Sequence, residues 1–249
     1  MMDQLNKNKL LNDIIRGFKD DIAGFSFSLA KKIKNPVFNI LTKDIAATSE
    51  PMLFFTAGAP ACGKSETVKY LLEAYPNTVH IDPDELRELF PYYIGSNAGN
   101  YQKPCTHIIS HCFKSAVSRR FDIIHDTNFA DTSTAIRNIT EAFKKGYWVQ
   151  IIYVYLDPIN AWKHAQKRVR KILPEVFCHN YFNTRATIQS VLTHADFQDK
   201  PLRCRAYVYK EIPGKSAFSV AIHENIAAGM LDVIVPFIYS ISDLQKIAV

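Results

Sequence analysis

One stretch of this 249-residue chain constrains its fold more than any other. Residues 58 to 65 read Gly-Ala-Pro-Ala-Cys-Gly-Lys-Ser, the phosphate-binding loop pattern of a glycine, four residues and then Gly-Lys-Ser. In such a loop small residues let backbone N–H groups converge on phosphate oxygens, the lysine adds a positive charge, and the serine hydroxyl can bind Mg²⁺. The pattern predicts nucleotide binding by Gly58, Ala59, Pro60, Ala61, Cys62, Gly63, Lys64, Ser65 and Glu66.

The residues on either side of this loop have the pattern that a phosphate-binding loop requires. Met52 to Ala57 is an apolar run typical of a buried strand, and Glu66 to Tyr75 has the apolar spacing of an amphipathic helix. A strand, a loop and a helix in this order are the setting in which the motif binds phosphate. A turn with a chance Lys-Ser pair is the alternative, and the flanking elements argue against it.

Composition limits the functional classes. A hydrophobic content of 47% is typical of a globular protein with a full core. The net charge of +6 suits an anionic substrate such as a nucleotide or a nucleotide sugar, and it permits nucleic acid without requiring it. The five cysteines lack the paired spacing of a disulfide framework or a zinc site. Because the cysteines do not form a disulfide framework, we expect a protein of the reducing cytoplasm. No apolar run reaches the roughly 18 residues of a membrane span.

Strands and helices alternate after the loop. Further strands are predicted at 77–82, 121–126, 147–156 and 203–210, with helices between them. This alternation predicts a P-loop NTPase-type three-layer α/β/α fold with a mainly parallel central sheet. The final part of the chain is ambiguous, with a helix expected near 226–231 and a strand or loop around 233–238.

We expect two parts: an N-terminal helical extension over residues 1–50 and the P-loop domain over 51–249. In the extension, apolar spacing predicts one helix over 5–18 and a second over 22–33, which ends before Asn35-Pro36 because proline disfavours helix in the residue before it. Residues 95–104 contain two glycines and are predicted to form a mobile loop.

Polar side chains follow two of the predicted strands where each strand ends. Asp82 can cap a helix that begins at Pro83, which places Asp84, Glu85 and Arg87 in its first turns. The third strand ends in four polar residues: His125, Asp126, Thr127 and Asn128. Ligands of open α/β sheets bind at the carboxyl ends of strands, so Asp82, Glu85, Arg87 and the four residues at the end of the third strand are candidates for binding substrate.

Phosphoryl transfer needs a phosphate cradle, a Mg²⁺ ligand, a group that positions or deprotonates the attacking hydroxyl, and cations over the transferred group. Besides Ser65, either Asp82 or Asp126 could bind the metal, and Asp84 could act as the base. A basic helix supplies the cations: Arg168, Arg170 and Lys171. Each of these residues also has a purely structural interpretation. Asp82 could only cap a helix, and Asp84 could be an acid that the helix dipole favours in the first turn. The cations could form a solvated helix face, and His125 could be a buried, hydrogen-bonded histidine at the end of its strand.

The order of these motifs resembles the zeta-toxin kinases over residues 50–195. The matching segments are the loop at 58–65, Ile81-Asp82-Pro83-Asp84-Glu85-Leu86-Arg87, the end of the third strand at 124–127, and Asp157-Pro158 with Arg168 downstream. The resemblance implies a kinase that uses ATP or GTP with Mg²⁺ and phosphorylates the 3′-hydroxyl of the sugar in UDP-N-acetylglucosamine. It also implies an antitoxin partner in many members.

By this resemblance Asp84 matches the base that activates the acceptor, Lys64 and Ser65 match the phosphate and metal residues, Thr127 matches a substrate-side threonine, and Arg168 matches a phosphate-clamping arginine. The sequence departs from the family at three places. His125 replaces an acid, Lys171 replaces a second arginine, and Cys112 or His111 stands at a further acidic position.

The departures leave other functions open. One alternative is a kinase of another acceptor, such as a polynucleotide 5′ end, a nucleoside or an antibiotic, because Asp126-Thr127-Asn128 also resembles polynucleotide kinases. The other is a nucleotide-binding toxin or effector module with weak turnover.

Overall fold

The computed structural model describes residues 21–168, 172–212, 217–235 and 237–248. The helix predicted over 5–18 therefore lies outside the described residues. The described strands form one six-stranded sheet in the order β2-β3-β1-β4-β5-β6. Neighbours from β2 to β5 are parallel, and β6 runs antiparallel to β5. The strands are β1 Met52–Ala57, β2 Thr78–Ile81, β3 Asp122–His125, β4 Trp148–Leu156, β5 Leu202–Glu211 and β6 Phe218–His223.

Helices flank this sheet in a three-layer α/β/α arrangement, which confirms the predicted fold class. Helix α1 packs on α4, which contacts β2 and β3, whereas α5 packs on α7 and β4. Among the described residues, no helix is both long and apolar enough to cross a membrane. The helices are α1 Ile22–Leu41, α2 Lys64–Ala74, α3 Pro83–Glu88, α4 Gln102–Arg119, α5 Thr132–Lys144, α6 Pro158–Lys167, α7 Pro174–Leu192, α8 Leu231–Ile234 and α9 Ile241–Ile247.

Helix α1 is longer than predicted, because it continues through Pro36 to Leu41. A proline inside a helix costs about 3 kcal/mol through its missing N–H and its ring. The helix continues because its second half is anchored in the core, where Val37 and Phe38 are buried. The sequence predicts that the helix ends before Asn35-Pro36 because proline disfavours helix locally. Tertiary packing on α4 outweighs this local preference.

Two other segments also differ from the prediction. Within residues 95–104, a 3₁₀ turn at Ala98–Tyr101 leads directly into α4, and the buried Tyr101 hydroxyl donates a hydrogen bond to Pro91 O at 2.9 Å. In the final part of the chain, the structure adds β6 and the helix α9, which the prediction missed. Helix α9 begins with a capping box between Ser240 and Asp243.

The register of the sheet aligns the ends of three neighbouring strands. Phe55 of β1 and Ile81 of β2 both pair with His125 of β3. The residues one step further along the chain are therefore also neighbours, and they point to the opposite face of the sheet because side chains alternate. These residues are Thr56, Asp82 and Asp126, which places Asp126 beside the strand that leads into the phosphate-binding loop and Asp82 one strand further away.

The centre of the sheet should be sensitive to truncation. Ile151 lies in β4, the strand between β1 and β5, and is fully buried. We expect Ile151→Ala to lower the free energy of unfolding by about 2 to 5 kcal/mol, because the missing atoms leave a cavity that the sheet cannot close. Urea unfolding would measure the change. The matched control is Ile40→Ala in α1, where the side chain is 75% exposed and a change within about 0.5 kcal/mol is expected.

Candidate functional site

The backbone between β1 and α2 adopts the curled conformation that the motif requires. Gly58 has φ +150°, and a Cβ atom there would lie 2.4 Å from Val154 O. Gly63 has φ +100° and closes the loop as the N-cap of α2. Ala61 between them also has positive φ, at 63°. Side chains other than these small ones would clash or strain the loop, so its sequence is dictated by its shape.

Lys64 folds back over the loop. Its Nζ donates hydrogen bonds to the carbonyl oxygens of Gly58 at 2.8 Å and Ala59 at 3.0 Å. The ammonium charge is thus fixed directly above the loop backbone. Ser65 and Glu66 follow in the exposed first turn of α2, where the N-terminal end of the helix dipole favours anions.

A hydrogen-bond network joins the end of β3 to the end of β1. Thr56 Oγ1 donates to Asp126 Oδ1 at 2.6 Å and accepts from the Thr127 N–H at 2.9 Å. Gly58 N donates to Asn128 O at 3.2 Å, so the segment after β3 is bonded to the first glycine of the loop. Asn128 O also accepts from Thr184 Oγ1 of α7 at 2.7 Å. The Asp126 carboxylate is therefore oriented by β1 itself.

Asp82 caps α3 and lies beside Asp126. Its Oδ1 accepts a hydrogen bond from the Asp84 N–H at 2.7 Å. Burial raises the pKa of the Asp82 carboxyl, and the charge of Asp126 adds to this increase, against the lowering effect of that hydrogen bond. Ligand atoms of His80, Asp82 and Asp126 all lie within 4.8 Å of one another. The ends of β2 and β3 therefore bring two acids and an imidazole together.

Asp84 and Arg87 form an ion pair within the short helix α3. Arg87 Nη1 lies 2.5 Å from Asp84 Oδ1, and Arg87 Nη2 donates to Gln102 Oε1 at 2.9 Å. The Arg87 side chain is only 6% exposed, whereas that of Asp84 is 55% exposed. The buried arginine thus orients an accessible carboxylate, while Glu85 next to it is exposed.

His125 points away from these acids and into the core. The ring lies 5.5 Å from that of Phe55 and 5.3 Å from that of Phe113, and Nδ1 has no hydrogen-bond partner among the described residues. Burial lowers the pKa of His125 to about 4. The third strand therefore presents Asp126, not His125, at the edge where the other acids lie. The structural alternative of a buried histidine fits this residue, although without the expected hydrogen bond.

The buried neutral His125 should make stability depend on pH. In the unfolded chain its pKa returns to about 6.5, so the unfolded state binds the extra proton as pH falls from 6.5 towards 4 and stability drops. The loss approaches about 3 kcal/mol at the lower end. We expect His125→Phe to flatten this part of the pH profile of the unfolding free energy, measured with urea. His179→Gln, at an exposed position of α7, should leave the profile unchanged.

A cleft of about 270 Å³ opens beside the loop. Arg168, at the end of α6, is exposed and lines it, whereas Arg170 and Lys171 lie outside the described residues. Its walls combine loop residues with aromatic side chains: Ala61, Cys62, Gly63, Glu66, Leu156, His164, Arg168, Tyr209 and Phe218. Burial raises the pKa of the Cys62 thiol, although Lys64 and Arg168 oppose it, so this thiol is neutral and packs beneath the loop.

The sequence interpretation missed His80 and the aromatic wall of the cleft. A signal for His80 was present, because a histidine two residues before Asp82 in a strand must share its face of the sheet. For Phe218, the alternation of Phe218, Val220 and Ile222 with smaller or polar residues could have indicated a strand. Tyr209 gave no local signal, since its place beside the loop follows only from the order of strands.

A family model described as Zeta toxin matches residues 39–202 of this chain, which is more than half of its length. No curated protein sequence shows a significant match.

Solved structures share the fold. The chain resembles a structure from the PezAT chromosomal toxin–antitoxin system of Streptococcus pneumoniae with a TM-score of 0.61 and 15% identity, over 89% of this chain and 93% of that one. It also resembles the AvrRxo1-ORF1:-ORF2 complex with ATP, with a TM-score of 0.57 and 12% identity over 82% of this chain and 67% of that one. At these identities the likeness establishes the fold alone.

Proposed function

The chain belongs to the zeta-toxin family, and from that premise we propose that it is an ATP-dependent phosphotransferase acting on a hydroxyl group. One observation carries the proposal. The loop that follows β1 and holds Lys64, the acids at the ends of β2 and β3, and the accessible Asp84 at the start of α3 all lie on the same edge of the sheet. A phosphate cradle and an acceptor-side carboxylate therefore stand on the same edge of the sheet, as phosphoryl transfer requires.

The donor half of the proposed site is the loop and the cleft beside it. Loop N–H groups and Lys64 Nζ bind the phosphates, and Arg168 adds a charge at the cleft wall. The aromatic rings of Tyr209 and Phe218 offer a nucleobase apolar and stacking contacts rather than base-specific hydrogen bonds. The proposed donor is therefore ATP, with GTP as the alternative.

Mg²⁺ fits the oxygen ligands on this edge. The Ser65 hydroxyl and the Asp82 carboxylate would bind it, because Mg²⁺ prefers hard oxygen ligands and is usually held by one or two carboxylates plus substrate phosphates. When bound, the ion neutralises charge on the phosphate oxygens. Asp126, which Thr56 orients, lies beside Asp82 and adds a second carboxylate.

Asp84 is the proposed base. Arg87 fixes its carboxylate through Oδ1, which limits the rotamers from which it can accept a proton from the acceptor hydroxyl. Arg87 itself is buried and bonded to Pro83 O and Gln102. Its role in this proposal is to position Asp84, rather than to contact substrate as its sequence position suggested.

The proposed acceptor is a sugar nucleotide such as UDP-N-acetylglucosamine. An anionic acceptor agrees with the net charge of +6, and the resemblance to zeta-toxin kinases supports this class. The PezAT structure belongs to a toxin–antitoxin system, so we also propose that a protein antitoxin or inhibitor binds this chain.

An acceptor panel tests the proposal. The protein is incubated with Mg²⁺, ATP or GTP, and in separate reactions UDP-N-acetylglucosamine, other sugar nucleotides, nucleosides and a 5′-hydroxyl oligonucleotide. Mass spectrometry should show one added phosphate on a sugar nucleotide. Phosphate added only to the oligonucleotide or nucleosides would overturn the acceptor, and nucleotide binding without any phosphorylated product would overturn the activity.

A further inference from the structure

The cluster of His80, Asp82 and Asp126 contains more than the oxygen ligands proposed above for Mg²⁺. One ring nitrogen of His80 and one oxygen of each carboxylate all lie within 4.8 Å of one another. The centre of a triangle with sides of at most 4.8 Å lies within about 2.8 Å of each corner, so small side-chain rotations would bring all three atoms to ordinary metal–ligand distances of about 2.0 to 2.2 Å. Geometry thus allows a site made entirely of protein ligands.

Both carboxylates are already oriented by other protein groups. Asp126 Oδ1 accepts from Thr56 Oγ1 at 2.6 Å, and Asp82 Oδ1 accepts from the Asp84 N–H at 2.7 Å. Oδ2 of each acid accepts no hydrogen bond from the residues that the structure describes. In protein metal sites, a ligating carboxylate is commonly held by a hydrogen bond to one oxygen, while the other oxygen binds the metal.

His80 supplies an independent observation. Its Nε2 is shielded from solvent and has no hydrogen-bond partner within the described parts of the chain. A shielded imidazole nitrogen without a partner loses its hydrogen bonds to water and gains nothing in exchange. A metal ion bound by the ring would satisfy the imidazole, and two adjacent carboxylates favour a cation at this place.

The ligand set indicates the class of cation. Imidazole nitrogen suits Zn²⁺, Cu²⁺, Fe²⁺ and Ni²⁺, whereas Mg²⁺ prefers oxygen ligands and dehydrates reluctantly. We propose that His80, Asp82 and Asp126 bind a divalent first-row transition-metal ion without any nucleotide. This inference rests on the cluster alone and not on the proposed function. It shares Asp82 with the proposed Mg²⁺ ligands but needs neither Ser65 nor phosphate.

Zinc titration of the full chain without nucleotide tests this proposal. Isothermal titration calorimetry should show one Zn²⁺ ion bound per chain, with Mg²⁺ binding much more weakly at the same pH. His80→Gln should weaken Zn²⁺ binding at least about tenfold, the loss seen even for groups that only support a ligand. Asp126→Asn should do the same, so the test does not depend on the folding of a single variant. Circular dichroism would establish that each variant is folded.

Two controls separate the outcomes. Ser65→Ala should leave nucleotide-free Zn²⁺ binding unchanged, which distinguishes the cluster from the Mg²⁺ ligands around the loop. His179→Gln, at an exposed histidine of α7, should also leave it unchanged. Zn²⁺ binding that is equal in wild type and His80→Gln, or absent from the wild type, would overturn the proposal. Kinase activity measured with Mg²⁺ and ATP could persist under both of these outcomes. A failure of the zinc proposal can therefore be distinguished from a failure of the proposed kinase function.

Discussion

Replacing Lys64 with methionine is expected to lower the rate of phosphoryl transfer by about 10²- to 10³-fold, the usual cost of removing one group that stabilises charge in a transition state. Methionine keeps most of the side-chain length but removes the charge and the donors that reach Gly58 O and Ala59 O. Release of labelled phosphate from ATP, or its transfer to an acceptor, measures the effect.

The matched control for Lys64 lies on the same helix. Lys69 is exposed on α2 and lines neither the loop nor the cleft, so Lys69→Met should retain wild-type activity. Equal activity in Lys64→Met and wild type would mean that the lysine only stabilises the loop. A similar loss in both variants would instead point to a general effect of charge on the basic chain.

Asp84→Asn is expected to lower kcat by about 10²- to 10⁴-fold, the range for a lost general base. The amide oxygen can still accept from Arg87, so the helix should remain in place. Because the Asp84 side chain is 55% exposed, loss of its charge should change the free energy of unfolding by only about 1 kcal/mol. A fall in kcat with nearly unchanged stability and nucleotide affinity is therefore the signature of a base.

The control for Asp84 is Glu88→Gln in the same short helix, where the side chain is exposed and activity should be unchanged. If Asp84→Asn retains the wild-type kcat, another group must accept the proton. If Asp84→Asn instead loses nucleotide binding, the carboxylate has a structural role at the start of α3.

The loop, the central sheet and the acids Asp82 and Asp84 could be predicted because the residues next to each of them in the sequence determine the local structure. Met52 to Ala57 is apolar throughout, the Gly-Lys-Ser pattern fixes the loop, and Asp82-Pro83 combines a helix cap with the first helical position. Where such local signals all favour the same structure, tertiary packing seldom changes the conformation that they predict. The same agreement placed Asp84 correctly in the first turn of a helix.

The end of β3 could not be predicted, because it depends on register. His125 and Asp126 are adjacent, and a shift of one residue exchanges the side chain in the core for the one at the site. The pairing of His125 with Phe55 and Ile81 fixes this register, and the contacts of the His125 ring with Phe55 and Phe113 show that the histidine faces inward. The helix through Pro36 is a similar case. Local preference predicts that the helix ends before Pro36, whereas packing on α4 stabilises it as far as Leu41.

The aromatic wall of the cleft depends on chain topology. Phe218 and Tyr209 reach the loop because β5 and β6 follow β4 at one side of the sheet. Both aromatic residues lie at least 140 positions further along the chain than the loop. The residues around them therefore give no indication that the loop is nearby.

The most direct test of the central claim is transfer of the γ-phosphate. Wild type, Lys64→Met and Asp84→Asn would each be incubated with Mg²⁺, γ-labelled ATP and UDP-N-acetylglucosamine, and the products separated and identified by mass spectrometry. The proposed site predicts label on a sugar hydroxyl with wild type and a strong decrease with both variants. Label that appears only as free phosphate, or transfer that is equal in wild type and Asp84→Asn, would contradict it.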